Sequence, residues 1–102
     1  MIDLRQIQAD HKKWQDQNFP GWEPWECLVG AQEELGELCH AFLKGHQGIR
    51  GKNLDDEVFP DEARDAIGDT IVFLMGLCNA YGWDLENILE TTWQDVSQRR
   101  WR

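Results

Sequence analysis

The feature that most constrains this chain is its apolar periodicity, which recurs every three to four residues along most of its length, with no segment alternating at period two. Such a pattern specifies helices that each bury one stripe, and it leaves a sheet nothing to build on. Breakers divide the pattern into four. Leu4, Ile7, His11 and Trp14 mark the stripe of a first helix running to about Asn18, before Pro20-Gly21 interrupts it. Pro24 suits the first turn of a second helix, where its missing N–H costs nothing. That helix is expected to run to about Lys44, with Leu28, Leu35, Leu38 and Phe42 on its apolar face and Gly45 as its stop. Residues 45–60 carry glycines and charges without a period and form the one long loop. A third helix is expected from near Asp61 to about Tyr81, ended by Gly82. Asp84 is a good N-cap for a fourth, whose apolar residues are Leu85, Ile88, Leu89, Thr92 and Val96. The expected fold is all-α, a four-helix bundle-like single domain over residues 1–102.

Composition adds an expectation about assembly. The chain holds six Trp and four Phe in 102 residues. A monomer this short buries only about two-thirds of the surface of its unfolded chain, too little to hide so many rings. Self-association to a homodimer or homotetramer is therefore expected to complete the bundle. The formal net charge of -9 argues against a nucleic-acid backbone as partner, which needs a basic surface. It permits a phosphate-bearing small molecule, provided a divalent cation stands between the two negative partners. Cys27, Cys39 and Cys78 are odd in number and lack metal-like spacing, so free thiols in a reducing compartment are expected. The start, Met-Ile-Asp-Leu-Arg, has no apolar leader, and no stretch approaches a membrane span; the expected location is the cytoplasm.

The acids carry the chemistry. Glu33-Glu34-Leu35-Gly36-Glu37 places Glu34 and Glu37 about 60° apart on neighbouring turns of the second helix. On the third, Glu62, Asp65 and Asp69 fall within about 60° of arc. Asp69 precedes Thr-Ile-Val-Phe-Leu-Met-Gly-Leu, the most apolar segment of the chain. A carboxylate buried there costs several kcal/mol unless it is paired or bound to a metal. Arg64 and Lys44 are the cations at hand, and an ion pair with either is the purely structural alternative. Otherwise, two helices presenting carboxylates inward make a site for a hard divalent cation. Mg²⁺ takes oxygen ligands and leaves positions for water and phosphates.

Glu33-Glu34-x-x-Glu37, followed after a gap by an acidic pair ending at Asp69 before an apolar run, resembles the MazG-like branch of the all-α nucleoside triphosphate pyrophosphohydrolases. The resemblance runs from about Trp25 to Trp101 and includes Gly-Glu-Leu-x-x-Ala-Phe-Leu-Lys, Gln-Gly-Ile-Arg-Gly, Asp-Ala-Ile-Gly-Asp and Trp-x-x-Val-x-x-Arg. It implies metal-dependent hydrolysis of (deoxy)nucleoside triphosphates to the monophosphate and pyrophosphate, with Mg²⁺ as cofactor and Mn²⁺ able to substitute. By position it makes Glu34, Glu37 and Asp69 metal ligands and Glu33, Glu34 and Glu37 the catalytic acids, Glu33 orienting the attacking water or supporting a second metal. The family's E-x-x-D puts Glu where this chain has Ala66. Asp65, one residue earlier on the same face, is taken as the fourth ligand, with Glu62 the other residue able to fill that place. Lys44, Arg50 and Lys52 flank the loop as candidate phosphate-binding cations, and Asn79 as a reader of a base edge. Arg99 and Arg100 either reach a neighbouring subunit's site or favour the C-terminal end of their own helix. The Trp residues are expected in core or interface rather than under bases.

Three other functions compete. Phosphoribosyl-ATP pyrophosphohydrolase shares the chemistry the resemblance implies. A non-catalytic helical interaction module needs no metal. A di-iron bundle is suggested by Glu37-Leu-Cys-His40, but that motif must occur twice, and the third and fourth helices contain no His.

Overall fold

The computed structural model describes residues 1–101, and among them there are four α-helices and no strand: α1 (Leu4–Asn18), α2 (Pro24–Gln47), α3 (Val58–Tyr81) and α4 (Leu85–Val96). The caps follow from the sequence. The Asp3 carboxylate accepts from the Gln6 N–H at 3.2 Å, and that of Asp84 accepts from Glu86 N–H at 3.1 Å. Pro24 opens α2, and Gly82 closes α3 in the left-handed conformation. No helix is long and apolar enough to cross a membrane.

The helix ends around the long loop differ from expectation. α2 runs through Gly45 to Gln47 and is capped by Gly48 at φ 68°. Gly45 is buried, and a Cβ there would lie 2.6 Å from Leu54 Cδ2. Its small size serves packing, not termination. α3 starts at Val58, because Pro60 falls in the first turn, where backbone N–H groups have no intrahelical acceptor.

α2 and α3 pair as an antiparallel hairpin, the main packing of the molecule. The Phe73 ring occupies the place a Cβ at Gly30 would take, and Cys27 Sγ closes on Gly76. At the loop end Phe42 meets Phe59 edge-on, with centroids 4.7 Å apart. The seam on α2 runs Cys27, Ala31, Glu34, Leu38, Ala41 and Gly45, all buried or half-buried. Leu28, Leu35 and Phe42, expected inward with Leu38, lie about 100° round the helix and are exposed.

α1 lies over the half of the hairpin that carries Cys27 and Gly76. Its inward residues are Leu4, Gln8, His11 and Gln15: Leu4 and His11 face in as expected, while Gln8 and Gln15 take the places of Ile7 and Trp14, which are exposed. Hydrogen bonds explain the shift. Gln8 Nε2 donates to Asn79 Oδ1 (3.0 Å) and to the Trp83 carbonyl (2.7 Å), its Oε1 accepts from Leu85 N–H (3.0 Å), and Gln15 Nε2 donates to Cys27 Sγ (3.2 Å). α4 hangs on α1: Leu85 joins Met75, Cys78 and Leu4 in the small core, and Arg5 Nε reaches Asp84 (2.9 Å) and Glu86 (2.8 Å). Beyond Leu85 the stripe of α4 is exposed.

One chain therefore does not close the expected bundle. Its radius of gyration is 16.5 Å, against about 13 Å for a compact chain of this length. Its accessible surface is 8015 Å², against about 6,000 Å² for a compact monomer of its mass.

Candidate functional site

Because α2 and α3 run antiparallel, Glu34 comes opposite Asp69 and Ala41 opposite Glu62. Between the helices lies a cleft of about 220 Å³ lined by Glu34, Glu37, Glu62 and Asp65, with Leu38 and Ala66 among its apolar walls. Ala66 is buried within this seam, so a longer acid there would have to leave it, while Asp65 reaches the cleft from beside it. Asp69 stands half-buried at the far side. The expectation that apolar neighbours enclose it fails, because Ile71, Val72, Phe73 and Leu74 are themselves exposed.

The acids feel one another. The Glu34 carboxyl is pushed above the usual glutamate value, first by its partial burial and then by the charges of Glu37, Asp69, Glu33 and Asp65. No ion pair relieves them. Among the described residues the salt bridges involve none of these acids: Arg64 turns to Asp61 at 3.8 Å, and Lys44 donates to Gln47 Oε1 at 3.3 Å. The structural alternative of an Arg64 or Lys44 pair is not formed.

Two further cavities lie along the seam, one on either side of the cleft. Toward α1, Asp69 borders a larger one of about 560 Å³, walled by Trp14, Phe19, Trp22 and Phe73, with His11, Gln15 and Glu26 supplying polar edges. Trp14 stands edge-on to both His11 and Phe19, at 5.9 and 5.7 Å. Burial holds the His11 ring below the usual histidine value despite its bond to the Val72 backbone, so the ring is neutral near pH 7. In the other direction, Ala41 and Glu62 also line a pocket of about 170 Å³ that includes Lys52 and Asn53. Arg50 and Gly51, both at positive φ, turn the loop so that Lys52 N–H donates to the Ile49 carbonyl.

Of the residues singled out in the sequence, the fold brings Glu34, Glu37, Asp65 and Asp69 to this seam, with Glu62 beside them and Lys52 at one end. Glu33 is exposed next to Glu34. Lys44 and Arg50 line none of these cavities. Asn79 lies in the α1–α3 interface, where its Nδ2 donates to the Gln8 carbonyl at 3.2 Å, so its side chain is taken up by the fold. Arg99 pairs with Asp95 at 2.6 Å and Arg100 donates to the Ser97 carbonyl at 3.5 Å, both within their own helix end. His40 is exposed and lines none of these cavities. The aromatic cavity was not legible in the sequence; the one signal was the density of rings on either side of Pro20-Gly21.

Among the described residues no three acids close on one point as a finished cation cage. The donor set nevertheless suits a hard divalent ion. It is all oxygen and lacks a cationic partner, and partial burial together with the neighbouring carboxylates disfavours ionisation of Glu34. Compared with known proteins, the chain matches no family model, no curated protein and no solved structure.

Proposed function

We propose that the chain is a metal-dependent pyrophosphohydrolase that cleaves (deoxy)nucleoside triphosphates to the monophosphate and pyrophosphate. The observation that carries this is the order of features along one seam: an aromatic cavity, then unpaired carboxylates from facing helix turns, then a lysine-bearing loop. A nucleotide has the same order, with a flat base, a chain of charged phosphates and a terminal phosphate needing cations. Glu34, Glu37, Asp65 and Asp69 would hold Mg²⁺ or Mn²⁺. Bound there, the cation would neutralise the polyphosphate, polarise the α-phosphoryl oxygen and make water a better nucleophile. The water oxygen attacks the α-phosphorus, the bond to the α–β bridging oxygen breaks, and pyrophosphate leaves. Glu33, beside Glu34 in the chain, would orient the attacking water and take up its proton, and Lys52 would meet charge on the departing pyrophosphate. The base would lie against Trp14, Trp22 or Phe73, which assigns these rings a role the sequence did not. We place the activity in a cytoplasmic homodimer or homotetramer.

Product analysis across ribo- and deoxynucleoside triphosphates, with Mg²⁺ and with EDTA, tests this. Monophosphate and pyrophosphate are expected in equal amounts and only with metal. Release of orthophosphate, or turnover that survives EDTA, would overturn it. A folded protein that turns over phosphoribosyl-ATP alone would keep the reaction and replace the substrate. No turnover at all would leave the non-catalytic interaction module.

A further inference from the structure

The aromatic cavity beside Asp69 is walled by the rings of Trp14, Phe19, Trp22 and Phe73, and at about 560 Å³ it has room for a two-ring base with a substituent. Trp14 and Phe19 stand at 72° to each other, so the walls form a corner rather than a flat shelf. The charges around it have one sign. Glu26 and Asp69 line it, among the described residues no Lys or Arg does, and the His11 ring is neutral near pH 7. Several of its polar hydrogens are already given away. The Trp22 N–H goes to Asp16 Oδ1 at 2.8 Å, Gln15 Nε2 donates to Cys27 Sγ, and His11 lies between Asn79 and the Val72 backbone. An occupant therefore meets aromatic surface and negative charge, the combination that attracts a cation. A positive charge over such a ring gains roughly 0.5–2 kcal/mol that a neutral group does not.

We propose that this cavity selects nucleotides whose base carries a positive charge, as purines alkylated on a ring nitrogen do, over their neutral counterparts. The inference rests on the nucleoside triphosphate reading above, in which the base enters this cavity, and it names the class of base. The two ends of the site then make different demands. The acidic cleft takes phosphates only through a divalent cation, whereas the aromatic cavity takes the charge of the base directly. With Asp69 committed to the metal, Glu26 is the carboxylate left to face the base. Its Oε2 accepts from the Glu23 N–H at 3.0 Å in the capping box that opens α2, which anchors the side chain. Among the described residues no cation pairs with it, so its charge is free to act on an occupant. An apolar wall also gains from the alkyl group itself, whatever its charge, so a test has to separate charge from size.

Two measurements on the whole chain make that separation. In mildly acidic, metal-free buffer, the indole N–H resonances of Trp14 and Trp22 are followed by NMR during titration with 7-methylguanosine, or with its neutral carbon isostere 7-methyl-7-deazaguanosine. The cationic nucleoside is expected to shift both resonances and to bind about threefold or more tightly than the isostere. Glu26→Gln keeps the capping hydrogen bond, since glutamine serves equally at that position, and should cut the preference about twofold or more. Equal affinities, tighter binding of the isostere, or a preference untouched by Glu26→Gln would each overturn the proposal. The second measurement is pyrophosphate release from the two corresponding triphosphates with Mg²⁺, where kcat/KM should favour the charged base about threefold or more. Turnover of both without preference would sink the selection by charge and leave the pyrophosphohydrolase standing. A nucleoside preference with neither triphosphate turned over would do the reverse, keeping the selective cavity and removing the reaction.

Discussion

The two halves of the α2–α3 seam are built from the same helices to opposite rules. In the half under α1, polar groups are matched: Gln8 serves Asn79, Trp83 and Leu85, Gln15 meets Cys27, and the glycines at 30 and 76 are filled by neighbouring side chains. In the half beyond it, carboxylates from both helices face one cleft with no cation beside them, and Gly68 has open space where a Cβ would be. The covered half is held by matched contacts, and the open half leaves its like charges uncompensated. The difference teaches where to look for chemistry in a small helical protein: where neighbouring groups fail to satisfy one another.

Substitutions in each half can break this contrast. The largest effect is expected at the acids. Glu37→Gln should lower nucleotide turnover about a hundredfold or more while the melting temperature holds; retained activity would remove Glu37 from the ligand set. In the covered half, Gln8→Ala orphans the Leu85 N–H, the Asn79 Oδ1 and the Trp83 carbonyl, and should cost about 2–3 kcal/mol in urea unfolding. Gly76→Ala puts a methyl 2.7 Å from Gln15 Oε1 and 2.9 Å from Cys27 Sγ, and should cost about 1–3 kcal/mol. The same change in the open half has the opposite sign: Gly68→Ala should raise metal-free stability by about 0.5–1 kcal/mol. A loss at Gly68, or none at Gly76, would erase the distinction between the halves. The smallest effects are in pH. Glu34 is raised in the folded state, so its contribution to metal-free stability should fall as pH rises through that value, and Glu34→Gln should remove this slope. His11 is lowered, so its contribution is present above the ordinary histidine value and lost as pH falls below it; His11→Asn should remove that opposite slope. Melting curves in EDTA across pH read both.

How much of this the sequence disclosed follows the same division. Helices, the caps at Asp84 and Pro24, and the stop at Gly82 are local chemistry, legible in a few adjacent residues. The acids were legible too, because carboxylates at helical spacing on two segments need an explanation wherever the segments meet. Glutamines at 8 and 15 were not. Gln8 reads as a solvated residue until Asn79 and the Trp83 carbonyl arrive from more than seventy positions away, and Gln15 until α2 brings Cys27 to it. Gly45 misled for the same reason, since only the approach of Leu54 distinguishes a packing glycine from a terminating one. Asn79 carried a polar group that function and packing could both claim, and its hydrogen bonds with Gln8 tie it to packing.

The attachment of α4 to α1 has a consequence for how the molecule comes together in time. Arg5 reaches Asp84 across 79 positions, and Gln8 reaches Leu85 across 77. The α2–α3 hairpin, by contrast, is joined by residues 48–57 alone and can form from a contiguous piece of chain. Contacts between distant segments form late, because loop entropy is lost before they repay it. α1, though it precedes the hairpin in the chain, is thus held waiting for the end of α3 and the start of α4 to arrive. Folding should show a fast helical-hairpin phase and a slower one in which α1 and α4 lock together, with Gln8→Ala slowing only the second.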